Sequence, residues 1–202
     1  MLHVRPINTL ERFQASLELR FQVYQSLGYL KHRRDSDIDE FDWSSLHFEA
    51  VDDSDSIVGV VRLVLPNRLD NNNHVPNPVI DWCEQLNQEQ SLGIEPSRSL
   101  PIWDTMKENG ISRACLNSNY PCEMSRIIVG QKSRGLGVAK LLAEAIVAQA
   151  RLCGRDAVLL ECLPTHIRLF QKLGYEKLFE SLRYKHLSVP ARVVAMRHQI
   201  DT

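Results

Sequence analysis

Apolar residues recur along the chain with two different periods. In 10–28, "LERFQASLELRFQVYQSLG", Leu10, Phe13, Leu17, Phe21 and Tyr24 fall at helical spacing, with Thr9 at the N-cap position and Gly28 at the stop. Ahead of it, 2–7 reads as a first strand. The stretch "KHRRDSDIDEFDW" that follows is polar and charged, hence a loop. "HFEAVDD" and "SIVGVVRLVLP" are strand-like runs joined by a tight Asp/Ser turn. From 67 to 119 asparagine, proline and serine dominate, around two short helical segments near 78–90 and 101–109. Ile80, Trp82, Leu86 and Trp103 give this stretch something to bury, so it reads as an insertion packed on the main sheet. "PCEMSRIIVG" is the next strand, and 137–152 a helix with Leu141, Leu142, Ala145 and Ala148 on its apolar face, ended by Gly154. "DAVLLECL" is nearly all apolar, the pattern of a strand buried on both faces. "PTHIRLFQKLG" is a further helix with Pro164 in its first turn, and "RYKHLSVP" and "RVVAMRHQ" read as final strands. No internal repeat interrupts this order, and 1–202 reads as a single domain.

Charge and cysteine usage narrow the picture. There are 24 basic against 25 acidic residues, a balance that argues against nucleic acid as partner. No stretch approaches the length of a membrane span, and the first residues lack the apolar run of a secretion signal, so a cytoplasmic location is expected. None of the five cysteines forms a C-x-x-C pair and no H-x-x-x-H pair occurs, so no metal is expected.

The stretch "IIVGQKSRGLGVAKLLAEAIV", 127–147, places Gly135 and Gly137 where a strand becomes a helix, with Lys132 and Arg134 beside them. A helix N-terminus carries unpaired N–H groups and partial positive charge, and glycines let a ligand approach the backbone closely, so this is an anion site in principle. The run fits neither a nucleotide P-loop nor a G-x-G-x-x-G fingerprint. On spacing alone, a capped turn without a ligand is an equal reading.

The series of strand, "V-x-x-x-x-R-G-x-G-V-A-x-L-L", buried strand and "LFQKLGYEKL" resembles the GNAT acyltransferase superfamily over roughly 120–178. The resemblance implies an α/β fold with a mixed, mostly antiparallel sheet and helices on both faces. It implies that the turn from Lys132 through Arg134, Gly135, Leu136 and Gly137 to Val138 holds the pyrophosphate of coenzyme A. It also implies that the preceding strand offers the backbone groups of Ile127, Ile128 and Val129 to the pantetheine and thioester.

A second constellation lies mostly in the amino-terminal half: Arg20 on the first helix, Asp39 and Asp42 in "DEFD", Arg62 inside an apolar strand, and Glu123 and Arg126 in "EMSR". An arginine between Val60, Val61, Leu63 and Val64 must be paired if buried, so these residues predict a charge network. Their settings resemble the autoinducer synthases, a GNAT-fold branch, and the related N-acyl amino acid synthases and exosortase-linked acyltransferases. In those families several such charges hold loop and core together. The resemblance implies acyl transfer from acyl-CoA to an amine, with Glu123 as candidate base. Arg126, three residues on, predicts a lowered Glu123 pKa. The alternatives are a synthase of N-acyl amino acid or autoinducer type fed by acyl carrier protein, and a non-catalytic acyl-CoA-binding module. The position where many GNAT enzymes carry a tyrosine acid holds Phe170, and Tyr175 reads as a packing residue.

Overall fold

Seven strands form one sheet: β1 (His3–Pro6), β2 (Ser45–Val51), β3 (Ile57–Val64), β4 (Pro121–Val129), β5 (Ala157–Cys162), β6 (Glu176–Ser181) and β7 (Val193–Gln199), in the order β1-β2-β3-β4-β5-β7-β6. The computed structural model describes residues 1–29, 37–66, 78–181 and 192–200. Neighbouring strands are antiparallel except β4 and β5, which run parallel. The helices are α1 (Leu10–Ser26), α2 (Pro78–Glu89), α3 (Pro101–Glu108), α4 (Val138–Leu152) and α5 (Ile167–Lys172). Among the described residues no helix is long and apolar enough to cross a membrane.

Strand alternation sorts side chains between two faces. One face carries Val61, Leu63, Met124, Val158, Leu160 and Met196 and is sealed by Val138, Leu142 and Ile146 of α4 and Phe170 of α5. The other face is covered by α1 and α2 through Phe13, Leu17, Val79, Cys83 and Leu86, and by α3 through Ile102 and Met106 against Val64, Leu159 and Ala195. Helices therefore lie on both faces. β5 sends Leu159 one way and Val158 and Leu160 the other, which is why its sequence is nearly all apolar. α2 and α3 come from the 67–119 stretch and supply much of the second cover.

Two details differ from the sequence-based expectation. The buried stripe of α4 is Val138, Leu142, Ala143, Ile146 and Ala150, and Ala148 is exposed. The helix is turned by about one residue, because the sheet beneath it offers a close approach at Gly59. A Cβ there would sit 2.7 Å from Val138 Cγ1 and 3.1 Å from Leu142 Cδ1. The segment after α5 also holds a strand that its polar sequence hides: "EKLFES" forms β6 at the sheet edge, paired with β7. The predicted strand "RYKHLSVP" lies outside the described residues, whereas "RVVAMRHQ" contains β7.

Two irregularities sit side by side in the centre of the sheet. The β4–β5 ladder runs only from Pro121↔Ala157 to Glu123↔Leu159, although β4 continues to Val129 and β5 to Cys162. Beyond Glu123 the facing edges of these strands have no ladder between them. On its other side β4 slips register against β3 between Val60↔Ile128 and Arg62↔Ser125, and Arg126 in the slipped segment has φ of 52°. That is a β-bulge with a non-glycine residue in the left-handed region, a conformation that persists only when its surroundings hold it.

Candidate active site

The turn after β4 has an open, glycine-defined form. A short 3-10 segment, Gln131–Ser133, leads through Arg134 to Gly135 and Gly137, both at φ 82°. Gly137 is the N-cap of α4 and no side chain caps that end. The first N–H groups of a helix have no internal partner, and the turn that leads into this end of α4 exposes Lys132, Arg134 and Leu136. A Cβ on Gly135 or Gly137 would meet nothing within 4 Å. The glycines are thus required by backbone conformation, and the space above them is free. Arg134 Nε reaches back to the Val129 carbonyl at 3.5 Å. Of the strand residues before the turn, Ile128 is buried toward α1, while Ile127 and Val129 pack toward α4.

The charged residues of the amino-terminal half and Arg126 converge on one cluster. Arg20 donates to Asp37 Oδ2 at 2.9 Å and to Asp42 Oδ1 at 2.8 Å. Arg62 donates to Asp39 Oδ1 at 2.6 Å, to Asp42 Oδ1 at 2.7 Å and to Ser125 Oγ at 2.8 Å. Arg126 donates to Asp37 Oδ2 at 3.0 Å and Asp39 Oδ2 at 2.6 Å, with its guanidinium 5.3 Å from the Tyr24 ring centre. Three positive charges face three negative ones. Burial alone would raise the pKa of Asp42 and Asp39. Arg20 and Arg62 overcome this at Asp42, as Arg62 and Arg126 do at Asp39, and both stay below the usual carboxylate range. Burial and the same arginines push His47, whose Nε2 lies 3.3 Å from the Asp42 carbonyl oxygen, down to about 4. Arg20, Arg62 and Asp42 are each at most 2% exposed, so the centre of the cluster is enclosed by protein.

Asp37 and His47 are members that the sequence reading missed. Asp37 stands two residues before Asp39 in a loop rich in aspartate. Only the fold selects which of those acids turns inward. His47 is cross-strand neighbour to Arg62, a pairing that needs the β2–β3 register.

Glu123 is not part of this cluster, which corrects the expected lowering of its pKa by Arg126. The bulge aims Arg126 at Asp37 and Asp39. Glu123 is on the same sheet face but farther down β4, where its Oε2 accepts the Ile102 N–H of α3 at 2.8 Å. Burial, and then the nearby Glu161 of β5, raise its pKa well above the ordinary carboxylate value. Glu161 was not singled out from sequence, yet a glutamate in the apolar run "DAVLLECL" was a visible signal. Its Oε2 accepts from the Thr105 hydroxyl of α3 at 3.1 Å, and its pKa is pushed to about 8 by burial and by Asp104.

The remaining chemistry-bearing residues are packing groups or lie apart. Phe170 and Tyr175 are both buried, their ring centres 5.7 Å apart. Cys83, Cys122 and Cys162 are buried free thiols, whereas Cys115 is exposed. The basic run 31–34 and His186 lie outside the described residues. No metal-holding group of His, Cys, Asp and Glu occurs among the described residues.

Residues 19–101 match the family profile of the Acetyltransferase (GNAT) domain, a span that contains Arg20, Asp37, Asp39, Asp42 and Arg62. Among curated proteins no sequence matches the chain. Solved structures match it over nearly its whole length. FeeM, an N-acyl amino acid synthase from uncultured soil microbes, superposes with a TM-score of 0.64 at 15% identity, covering 98% of this chain and 92% of its own. A Drosophila melanogaster polyamine N-acetyltransferase gives 0.61 at 16% identity, over 99% of this chain and 100% of its own. A Corynebacterium glutamicum structure described as histone acetyltransferase HPA2 and related acetyltransferase gives 0.60 at 15%, over 100% and 97%. These likenesses are of fold. Over 19–101 the chain is similar to the Acetyltransferase (GNAT) domain, and over nearly its whole length it shares the fold of these solved structures.

Proposed function

We propose that the protein is an N-acyltransferase that moves an acyl group from a coenzyme A thioester to an amine. The observation that carries this reading is the uncapped N-terminus of α4 behind two left-handed glycines with free space above them. Such a turn suits a diphosphate, since N–H groups, helix dipole and two cations act together. Lys132, Arg134, Gly135, Leu136, Gly137 and Val138 would hold the pyrophosphate. Backbone groups of Ile127, Ile128 and Val129, on the β4 edge that β5 leaves unpaired, would meet the pantetheine and donate to the thioester oxygen as charge develops there.

In this reading the Arg20, Asp37, Asp39, Asp42, Arg62 and Arg126 cluster is a support. It fixes the loop before β2 and locks Arg126, hence the bulge, beside the reacting edge. Glu123 is the candidate proton acceptor, directly or through water. Its raised pKa fits a base better than a permanently ionised anchor would.

Calorimetric titration of the protein with acetyl-CoA, octanoyl-CoA and palmitoyl-CoA tests the donor. Binding of at least one is expected, weakened by about tenfold or more in an Arg134→Glu, Gly135→Glu variant that puts negative charge at the helix end. Absence of binding to all three overturns the coenzyme A reading. A second reading, a long-chain or carrier-protein donor as in the N-acyl amino acid synthases, is favoured by the buried charge cluster that those families share. A strong preference for palmitoyl-CoA would support it.

A further inference from the structure

A cleft of about 170 Å³ opens beside the second half of α4. Ala143 and Val147, one helical turn apart, form its inner row, and the exposed Ala148 stands at its edge. Leu173, Tyr175 and His198 of β7 line it from the other side. The gap exists because α4 presents small side chains here while the rings beyond it are held in place. Tyr175 lies between Phe170 and His198, with ring centres 5.7 Å and 5.1 Å away. His198 in turn rests on Gly174, where a Cβ would come within 3.1 Å of its Nδ1 and Cε1. Each ring is thus packed on two sides, and the wall is preformed. Along the axis of α4 the cleft lies about 9 to 21 Å from Gly137. It shares no residue with the glycine turn.

The walls select an occupant. Ala143, Val147 and Leu173 make an apolar floor. Tyr175 Oη and His198 Nδ1 are enclosed and have no partner among the described residues. Buried polar atoms are nearly always paired, so two orphans in one wall mark a place where a partner is left to come from outside. The rim carries one charge of each sign, Glu144 and Arg151, both exposed and about two turns apart on α4. These balance, and nothing in the rim offsets the cost of bringing an ion onto the apolar floor. The volume is near the roughly 150 Å³ at which an apolar cavity takes up benzene.

We infer that this cleft is a second ligand site, for a single uncharged aromatic ring that bears a hydroxyl: a phenol. The ring would rest on Ala143, Val147 and Leu173. The hydroxyl both gives and accepts a hydrogen bond, which suits an O–H and a ring nitrogen left unpaired. The occupant would brace the later turns of α4 against β7 and leave the glycine turn open. The inference is independent of the acyl-transfer reading above.

The test is methyl NMR of protein labelled with carbon-13 at alanine Cβ, titrated in turn with phenol, sodium benzoate and benzylammonium chloride. Phenol is expected to shift the Ala143 and Ala148 methyl resonances by its ring current and to saturate, with the two ions weaker by about tenfold or more. Ala148→Trp, a change at an exposed position, should crowd the cleft and weaken phenol at Ala143 by about tenfold or more. Unmoved Ala143 and Ala148 methyl resonances through the millimolar range of phenol overturn the inference. Equal affinity for all three compounds also overturns it, being the mark of indiscriminate apolar contact, as does an unchanged phenol midpoint in Ala148→Trp. The wild-type titrations decide the matter even if Ala148→Trp does not fold.

Discussion

Arg62 and Asp42 meet at 2.7 Å inside the protein, tying the centre of β3 to the loop before β2. The same Asp42 oxygen accepts from Arg20 of α1, so one atom joins helix, loop and sheet. Such a junction holds only while all its charges are present, since loss of one leaves another buried and unpaired. Asp42→Ala is therefore expected to cost about 3–5 kcal/mol in urea unfolding. A loss under about 1 kcal/mol would mean that the cluster is dispensable for stability.

Stability should fall on the acid side through this cluster. Asp39 and Asp42 have folded pKa values below their unfolded values, so their stabilisation is complete above about 4 and lost as pH falls further. His47 acts in the same sense. It titrates at about 4 when folded, against roughly 6.5 unfolded, and its contribution fades as pH drops between the two. Denaturant midpoints at a series of pH values check this, and His47→Gln should flatten the curve between those limits.

The carboxylate pair acts with the opposite sign. Glu161 is raised to about 8, so its contribution is present below the unfolded value of roughly 4.3 and is lost as pH rises through 8. Wild-type stability is thus expected to decline from neutral to mildly alkaline pH, and Glu161→Gln to remove much of that decline. An identical slope in the variant would contradict the assignment.

Gly59 lets α4 lie close to β3. Its missing Cβ makes room for Val138, the first residue of α4, and an alanine would also come within 3.0 Å of the Ile128 carbonyl oxygen. Gly59→Ala is expected to cost about 1–3 kcal/mol by overpacking. It should also weaken acetyl-CoA binding, because relief requires the first turn of α4 to move. Unchanged stability together with unchanged affinity would show that α4 yields without shifting that turn.

Tyr175 has a buried hydroxyl with no partner among the described residues and a pKa driven upward by burial. Removing an unpaired buried polar group is neutral or favourable. Tyr175→Phe should keep or raise the thermal midpoint and leave the acylation rate unchanged. A large rate loss would make Tyr175 the proton donor to the leaving thiol.

The linear chain determined much of this molecule. The period of apolar residues marked α1, α4 and the strands β2 to β5, because local spacing alone sets which side chains share a face. It also exposed Arg62 as a charge that had to be paired, and placed Gly135 and Gly137 at the turn between a strand and a helix. Tertiary structure decided the partners. Asp37 joins Arg20 and Arg126 across intervals that no local rule spans, and the bulge at Arg126 depends on how β4 registers against β3. The same bulge turns Arg126 away from Glu123, so the pKa of that glutamate is set by burial, Glu161 and α3 instead of by its sequence neighbour. Periodicity is a property of a few consecutive residues and can be read from them. Desolvation and charge pairing depend on what the whole chain brings into contact, and only the folded sheet states that.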